Sequence, residues 1–137
     1  MKPESLSHFA QYPSLKGRSV FVTGGSSGIG GDIVIAFARQ GAQVAFTGRN
    51  AEAAQQVIDA AKALGPEPLF LQSDAADVEA LKAAIATAAA RFGDITVLVN
   101  NVASDDRHTL ESVTPEYYDE RIAINERPAF FAIQSVV

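Results

Sequence analysis

The sequence contains no cysteine, no basic run and no long apolar run, and each absence excludes a class of protein. Without cysteine, its 137 residues can form neither a disulfide nor a thiolate metal site. A formal net charge of −5 gives no electrostatic case for nucleic-acid binding. No apolar stretch approaches membrane-spanning length, and the N-terminus lacks the apolar segment of a secretory signal. These absences predict a soluble cytoplasmic protein that binds neither nucleic acid nor membranes.

The composition that remains is typical of one folded domain. Hydrophobic residues make up 47% of the chain, and its length is enough to enclose one core. Residues 1–17 contain Pro3 and Pro13 and little periodicity, so we expect an N-terminal arm whose first part, Met1–Ser7, is a partly ordered tail. Residues 18–137 then form the domain.

One glycine-rich stretch, Ser19–Gly31, predicts a phosphate-binding turn. An apolar strand (Ser19–Val22) is followed by Thr23-Gly24-Gly25, and a helical pattern begins at Gly28. Glycine lets the main chain turn tightly and approach a phosphate closely. Amide groups and the positive end of a helix dipole then meet the anion. The order strand, glycine turn, helix therefore indicates a nucleotide site.

Strands and helices alternate along the rest of the chain. We expect further strands at Gln43–Phe46, Pro68–Gln72 and Ile95–Val99, the last apolar enough to be covered on both faces. The first helix should have its apolar face formed by Ile29, Ile33, Ala36 and Phe37. We expect three later helices, whose starts are capped by Asn50, Asp77 and Thr114. The last of them should be one long helix that continues through Ile133.

This alternation predicts an α/β fold of the Rossmann type. A doubly wound parallel sheet in a three-layer α/β/α arrangement has its first four strands in the order 3-2-1-4. A flavodoxin-like strand order is the alternative. The sequence ends soon after the last helix, and no strand follows to cover the edge of strand four. We therefore expect an incomplete domain whose C-terminal half is missing.

Three polar positions follow strands, where ligands bind in such sheets. Arg49 follows strand two, where a guanidinium suits a 2′-phosphate, although a solvated arginine is the alternative. Asp74 follows strand three and suits either an adenine amino group or a simple turn. Asn100-Asn101 follows strand four and suits either a bridge between strand ends or a turn.

Several motifs together resemble the short-chain dehydrogenase/reductase family. Thr23-Gly24-Gly25-Ser26-Ser27-Gly28-Ile29-Gly30 resembles its T-G-x-x-x-G-I-G signature, and Asn100-Asn101-Val102-Ala103 resembles its N-N-A-G motif. Asp74 matches the family's adenine-contacting aspartate, and Asn125 matches the asparagine of its catalytic tetrad. The segments Tyr12–Gly17, Asp105–His108 and Tyr117–Ile122 further resemble a bacterial subgroup of sugar dehydrogenases that oxidise aldoses such as D-xylose or L-arabinose to lactones.

The resemblance implies hydride transfer between a nicotinamide and a sugar or other secondary alcohol or carbonyl. It implies a catalytic role for Asn125. The cofactor-binding residues that it implies are Gly24, Ser26, Ser27, Gly28, Ile29, Gly30, Arg49, Asp74, Ala75, Asn101, Val102 and Ala103. The family's serine and Tyr-x-x-x-Lys motif belong downstream of Val137, and neither Tyr117 nor Tyr118 can replace that tyrosine. A catalytically inactive dinucleotide-binding or interaction module is the alternative function.

Arg49 favours NADP as the cofactor, with NAD as the alternative. Ser27 is not basic, so the glycine turn offers no second cation for a 2′-phosphate, and Val102-Ala103 adds bulk where the family has Ala-Gly. The expected partners are a small molecule, such as an aldose, and further copies of the chain, because the family is usually tetrameric. Phe130, Phe131 and Ile133 are candidate contacts between subunits.

Two features near the expected substrate-binding part of the site complete the predictions. Pro128 lacks an N–H group, so we expect a kink that exposes main-chain oxygen near Asn125 for a bound water. Asp105-Asp106-Arg107-His108 contains types of metal ligand, but no second cluster supports a metal, and we expect none. We expect instead an Asp–Arg pair that shapes the loop over the substrate.

Overall fold

The computed structural model describes residues 10–137, and the predicted tail Met1–Ser7 lies outside them. Four strands and five α-helices alternate along the described chain. They are β1 (Ser19–Thr23), α1 (Gly28–Arg39), β2 (Gln43–Gly48), α2 (Ala51–Lys62), β3 (Leu69–Gln72), α3 (Val78–Phe92), β4 (Val97–Asn100), α4 (Pro115–Asn125) and α5 (Arg127–Val136). Short 3-10 helices at Pro13–Leu15 and Leu110–Ser112 lie in the connections. No helix among residues 10–137 combines the length and the apolar character needed to cross a bilayer.

The four strands form one parallel sheet in the order β3-β2-β1-β4, which confirms the predicted topology. Phe21 in β1 lies between Ala45 of β2 and Leu98 of β4, and every residue of β1 is buried. The carboxyl ends of all four strands therefore meet at one edge of the sheet.

Helices cover both faces of the sheet and create two cores. Val20 and Val22 point to one face and pack in a cluster that includes Val34 of α1 and Val57 of α2. Phe21 points to the other face and packs in a cluster that includes Leu81 of α3 and Ala132 of α5. Because side chains alternate along a strand, β1 contributes to both cores. The molecule thus has the predicted three layers.

The predicted helix starts are confirmed by side-chain hydrogen bonds. Asn50 Oδ1 accepts from the amide of Ala53 at 3.0 Å, and Asp77 Oδ1 accepts from that of Ala80 at 3.0 Å. Thr114 Oγ1 accepts from the amide of Tyr117 at 3.2 Å, and Pro115 occupies the first turn of α4. Each cap satisfies an amide that the helix itself leaves without a partner.

One prediction about burial is wrong and another is confirmed. Ile29 is 76% exposed, because Gly30 and Gly31 turn toward the sheet at the start of α1 and Val34 and Ala38 provide the fully buried side chains of that helix. The prediction that β4 is covered on both faces is confirmed, since Val97 and Val99 pack against one core and Leu98 packs against the other, while all three stay half-buried in the edge strand of the sheet.

The predicted single last helix is also wrong, because the chain forms two helices that are separated at Glu126. The amide of Glu126 donates to Ile122 O at 3.1 Å and ends α4, and the amide of Ala129 donates to Glu126 O at 3.1 Å at the start of α5. Pro128 has no N–H group to continue the α4 pattern and lies in the first turn of α5, a position that suits proline. The predicted bend is present, but it is a break between helices.

Candidate functional site

The glycine turn joins β1 to α1 at the edge of the sheet where the strands end. Gly24 has φ +71° and Gly28 has φ +55°, and such left-handed conformations favour glycine. The amide of Gly25 donates to Thr47 O at 2.8 Å, which ties the turn to the end of β2. The turn is therefore fixed to the sheet by its own main chain.

The amides that follow Gly25 point to no acceptor in the protein. Among residues 10–137, the N–H groups of Ser26, Ser27, Gly28, Ile29 and Gly30 donate no hydrogen bond. The N-cap residue Ser27 offers no side-chain cap to them either. An anion placed here would satisfy these donors and would lie at the positive end of the α1 dipole.

Gly30 brings the helix against the turn. A Cβ atom at this position would overlap the carbonyl oxygen of Gly24 and would press on Nδ2 of Asn101. No larger residue fits without moving the main chain of the turn. The third glycine of the motif is therefore required for packing between α1 and the end of β1.

Asn101 bridges the ends of β1 and β4, as one of the sequence hypotheses held. Its Nδ2 donates to Thr23 O at 3.3 Å and to Gly24 O at 3.0 Å. In return, Thr23 Oγ1 accepts from the amides of Asn101 at 3.1 Å and Val102 at 3.2 Å. These bonds hold the loop after β4 against the glycine turn.

A cavity of about 540 Å³ opens between these loops and α4. It brings together eleven of the residues that the family resemblance implies for cofactor binding: Gly24, Ser26, Ser27, Ile29, Gly30, Arg49, Asp74, Ala75, Asn101, Val102 and Ala103. Gly28 shapes the turn but does not line the cavity, and neither does Asn125. The cavity is also lined by Thr47, Gly48, Ser73 and Ser104, which follow the strand ends, and by Ala76, Glu120, Ala123 and Ile124, which the sequence did not indicate.

Arg49 lies exposed at the rim of the cavity, directly after β2. Its carbonyl oxygen accepts from Gln72 Nε2 at 3.0 Å, which fixes the main chain at the strand end. Its guanidinium forms no hydrogen bond or ion pair with any residue of the range 10–137. The side chain is thus available to an anionic group in the cavity.

Asp74 has a structural role in its turn and also lines the cavity. Its Oδ1 accepts from the amide of Ala76 at 2.9 Å, and its carbonyl accepts from the amide of Asp77 at 3.0 Å. This explains the aspartate as a turn residue ahead of α3. Because the residue is exposed in the cavity, its other carboxylate oxygen remains open to a hydrogen-bond donor.

Asn125, the predicted catalytic asparagine, holds the loop after β4 rather than the cavity surface. Its Oδ1 accepts from the amide of Ser104 at 2.7 Å, and its Nδ2 donates to Ser104 O at 2.9 Å. Beside it, the main-chain oxygens of Ile124 and Asn125 accept no hydrogen bond from residues 10–137, since the α-helical pattern stops at Glu126. Two free acceptors therefore lie next to a fixed loop.

The loop from Ser104 to His108 is shaped by α4, and the expected Asp–Arg pair within it is wrong. Among residues 10–137, Arg107 forms no ion pair. Instead, the Tyr117 hydroxyl donates to Asp106 Oδ1 at 2.5 Å, and Arg121 Nη1 donates to Ser104 O at 3.0 Å. The partners come from a helix that follows the loop, so no short-range pattern in the loop itself could reveal them.

Asp105, Asp106 and His108 each bring a ligand-type atom within 4.8 Å of the others. The carboxylate of Asp106 already accepts the Tyr117 hydroxyl, and His108 Nδ1 lies 3.0 Å from Asp106 O. Asp106 and His108 are therefore already engaged in contacts within the protein.

Tyr117 is a poor candidate for a catalytic base. Its hydrogen bond to Asp106 raises the pKa of its phenol, and burial and the negative charges of Asp106 and Asp105 act in the same direction, against the opposing effect of Arg121. A tyrosine that takes a proton near neutral pH needs the opposite shift. The raised pKa is therefore opposite to the shift that such a role requires.

Comparisons with known proteins agree with this geometry. The chain is 48% identical over 128 residues to a probable galactose dehydrogenase of Rhizobium meliloti and 45% identical over 128 residues to the D-xylose 1-dehydrogenase of Caulobacter vibrioides. Each match covers 93% of this chain and 50% of the relative, so the chain spans about half the length of these relatives.

Among solved structures, a short chain dehydrogenase from Burkholderia cenocepacia in complex with NADP superposes with a TM-score of 0.84 at 36% identity, and the match covers 89% of this chain and 50% of that one. The family model described as short chain dehydrogenase matches residues 18–137. These residues include the sheet, the glycine turn and α4. The chain therefore belongs to the short-chain dehydrogenase family.

Proposed function

We propose that the protein is an NADP-dependent oxidoreductase that transfers hydride between the nicotinamide and an aldose or a related secondary alcohol or carbonyl. The observation that carries the proposal is the set of free amides from Ser26 to Gly30, which face a cavity with Arg49 at its rim. A dinucleotide has the pyrophosphate that these amides suit. The relatives named for galactose and D-xylose support the choice of sugar.

The residues present fit such a cofactor without rearrangement. The free donors of the turn from Ser26 to Gly30 would hold the pyrophosphate, and Ala75, Val102 and Ala103 would line the path beside it. Asp74 would accept a hydrogen bond from the adenine amino group. When bound, the nicotinamide accepts hydride from the alcohol carbon or returns it to the carbonyl carbon.

Asn125 would serve the proton path rather than the hydride path. The amide side chain is used in fixing Ser104, so the free main-chain oxygens of Ile124 and Asn125 are the groups left to bind a water. We assign the break at Glu126 the role of exposing those oxygens. We propose that the family's serine, tyrosine and lysine complete the proton path.

Arg49 is proposed to select NADP through its 2′-phosphate. A guanidinium can form two parallel charge-assisted hydrogen bonds with such a group. We expect Arg49→Asp to weaken NADP binding relative to NAD by about 10- to 100-fold, the loss typical of a charged hydrogen-bond pair. Calorimetric titration of the full-length gene product with each dinucleotide measures this ratio.

Arg91→Asp is the matched control, because it makes the same charge change at an exposed position of α3 that lies outside the cavity. It should leave the ratio of the two affinities unchanged. If Arg49→Asp kept an NADP preference, the role of Arg49 would be lost. If the folded wild-type protein bound neither dinucleotide, the oxidoreductase proposal would be lost with it.

We also propose that α5 contributes to contacts between copies of the protein, in a tetramer. Phe130 is 63% exposed and Ile133 is 50% exposed, and the Phe130 ring stacks edge-on against Phe131 with centroids 5.2 Å apart. Apolar side chains so placed favour burial against a partner. Sedimentation equilibrium of the wild type and of Phe130→Asp tests this, with Thr87→Asp on exposed α3 surface as the control.

A further inference from the structure

Three side chains of α4 hold the loop Ser104–His108, which we name the rim loop. Tyr117, Arg121 and Asn125 are spaced by four residues, so they lie along one face of the helix. Each of them forms a hydrogen bond with a residue of the rim loop. The proposed function uses only the third of these residues.

Arg121 forms the middle contact. Its Nη1 donates to Ser104 O at 3.0 Å and to Ser104 Oγ at 3.1 Å, while its Nη2 donates to Glu120 Oε1 at 2.9 Å. The side chain is 18% exposed. Its guanidinium also lies over the Tyr117 ring, with Cζ 5.2 Å from the ring centroid. Arg121 thus contacts both Tyr117 and Ser104, the residue that Asn125 also holds.

Tyr117 forms the outer contact and connects two residues of the rim loop. Its hydroxyl donates to Asp106 Oδ1 at 2.5 Å, and His108 Nδ1 lies 3.1 Å from that hydroxyl oxygen and 3.0 Å from Asp106 O. Since a carbonyl oxygen can only accept, the contact with Asp106 O is a hydrogen bond in the His108 tautomer that carries its proton on Nδ1.

The rim loop reaches the cavity at its first residue, next to α4. Ser104 lines the cavity and so do Glu120, Ala123 and Ile124 of α4. Residues 105–108 continue from Ser104 and are exposed. A substrate that enters beside Ser104 therefore contacts a loop that is held in position by hydrogen bonds from α4.

We infer that Tyr117 and Arg121 are positioning residues, which fix the rim loop against α4 and thereby set the affinity for a polyhydroxylated substrate. This inference rests on the proposed function. Neither residue touches the reacting atoms, so each acts on substrate binding through the loop. The cofactor side of the cavity, built from the glycine turn and the strand ends, should not depend on them.

Tyr117→Phe tests the inference because it removes only the hydroxyl and keeps the ring beneath Arg121. In the full-length enzyme with D-xylose or D-galactose as the probe, we expect KM for the sugar to rise about threefold to tenfold, the range for loss of a partly exposed hydrogen bond to a charged group. We expect kcat and the affinity for NADP to change less than twofold. Amides of the rim loop should exchange with deuterium faster by a similar factor.

Tyr118→Phe is the matched control, since Tyr118 is 60% exposed and its hydroxyl forms no hydrogen bond with residues 10–137. It should leave both readouts unchanged. Arg121→Lys keeps the charge but loses the planar fork, so it should raise KM in the same way and leave NADP affinity intact. Unchanged exchange and unchanged KM in both variants would overturn the inference.

The same data separate this inference from the proposed function. If the wild type binds NADP and oxidises no sugar, faster exchange in Tyr117→Phe still supports the conclusion that α4 fixes the rim loop. The part of the inference that concerns substrate affinity then fails. If the wild type oxidises the sugar and Tyr117→Phe lowers NADP affinity as strongly as it raises KM for the sugar, the residue has a general structural role and the inference is wrong.

Discussion

The two walls of the cavity are built in different ways. The wall of the glycine turn is fixed by the main chain: buried β1 leads into it, Gly25 bonds to Thr47, and Gly30 leaves no room for a Cβ atom. The wall of α4 and the rim loop is fixed by side chains, and α4 has no buried residue. The first wall therefore tolerates little change, while the second can be altered residue by residue. This division suits a fold in which one cofactor is kept while the substrate varies.

Gly30→Ala should show the largest effect, because it tests the rigid wall directly. The new methyl group would overlap Gly24 O, so the turn or the helix must move. We expect the free energy of unfolding to fall by about 3 kcal/mol. We expect dinucleotide binding to fall beyond detection, because the free amides would lose their common direction. Urea denaturation and calorimetric titration measure the two effects.

Gly31→Ala is the control for this prediction, because the same methyl group at the next position meets only Val57 Cγ2 at 3.0 Å and Gly25 O at 3.6 Å. A side chain can give way where a carbonyl cannot, and alanine favours the helix by about 1 kcal/mol. Stability should change little and binding should remain. Equal damage from both substitutions would show that the rigidity of the wall does not come from the contact between Gly30 and Gly24.

Sequence patterns predicted the rigid wall well and the side-chain wall poorly, for a physical reason. The turn from Thr23 to Gly30 follows from local rules for glycine and helix starts, and those rules act within a few residues. The contacts of Tyr117 with Asp106 and of Arg121 with Ser104 join residues 11 and 17 positions apart, in a loop with no periodicity. The spacing of four between Tyr117, Arg121 and Asn125 was the one signal that could have suggested them.

The errors in the fold have similar causes. Ile29 fits an apolar helical face, yet it is exposed because the packing of Gly30 against Gly24 sets the rotation of α1. Pro128 predicted a disturbance in the last helix, but the position of the break at Glu126 depends on a second helix start, which local rules did not indicate. Tertiary contacts decide both features.

Thr23→Val should have the second largest effect, since Thr23 joins the glycine turn to the start of the loop after β4. Its hydroxyl is buried, accepts from the amides of Asn101 and Val102, and lies 3.5 Å from Val99 O. Valine keeps the shape and removes the acceptor, so we expect a loss of about 2 kcal/mol in unfolding free energy from the unsatisfied amides. Urea denaturation checks this, and Thr23→Ser should retain most of the stability. A neutral Thr23→Val would mean that the loop after β4 is held against the glycine turn by other contacts.

The helix caps offer a smaller test of the difference between α3, which packs in the core, and α4, which forms the side-chain wall. Asp77→Ala removes the cap of α3, whose Leu81 and Ile85 are in the core, so we expect a loss of about 1 kcal/mol in global unfolding. Thr114→Ala removes the cap of exposed α4, where opening can be local. We expect hydrogen exchange to accelerate in the first turn of α4 and the urea midpoint to move less than for Asp77→Ala. Equal shifts in midpoint would show that α4 is as firmly integrated as α3.

The smallest effect concerns the ionisation of Tyr117, which reports on the side-chain wall alone. The bond to Asp106 raises the pKa of Tyr117 above its ordinary value of 10.0. A raised pKa in the folded state means that stabilisation by this bond is complete below pH 10 and is lost as the pH rises through the folded-state pKa. Asp106→Asn should therefore lower the pKa of Tyr117 toward 10, because it removes the negative charge that faces the hydroxyl. Tyrosinate absorbance, taken as the difference between each protein and its Tyr117→Phe form, isolates this titration from those of Tyr12 and Tyr118. A Tyr117 titration midpoint that is the same with and without the Asp106 carboxylate would show that the hydrogen bond between Tyr117 and the rim loop does not form in solution. That result would leave the conclusions about the glycine wall unchanged.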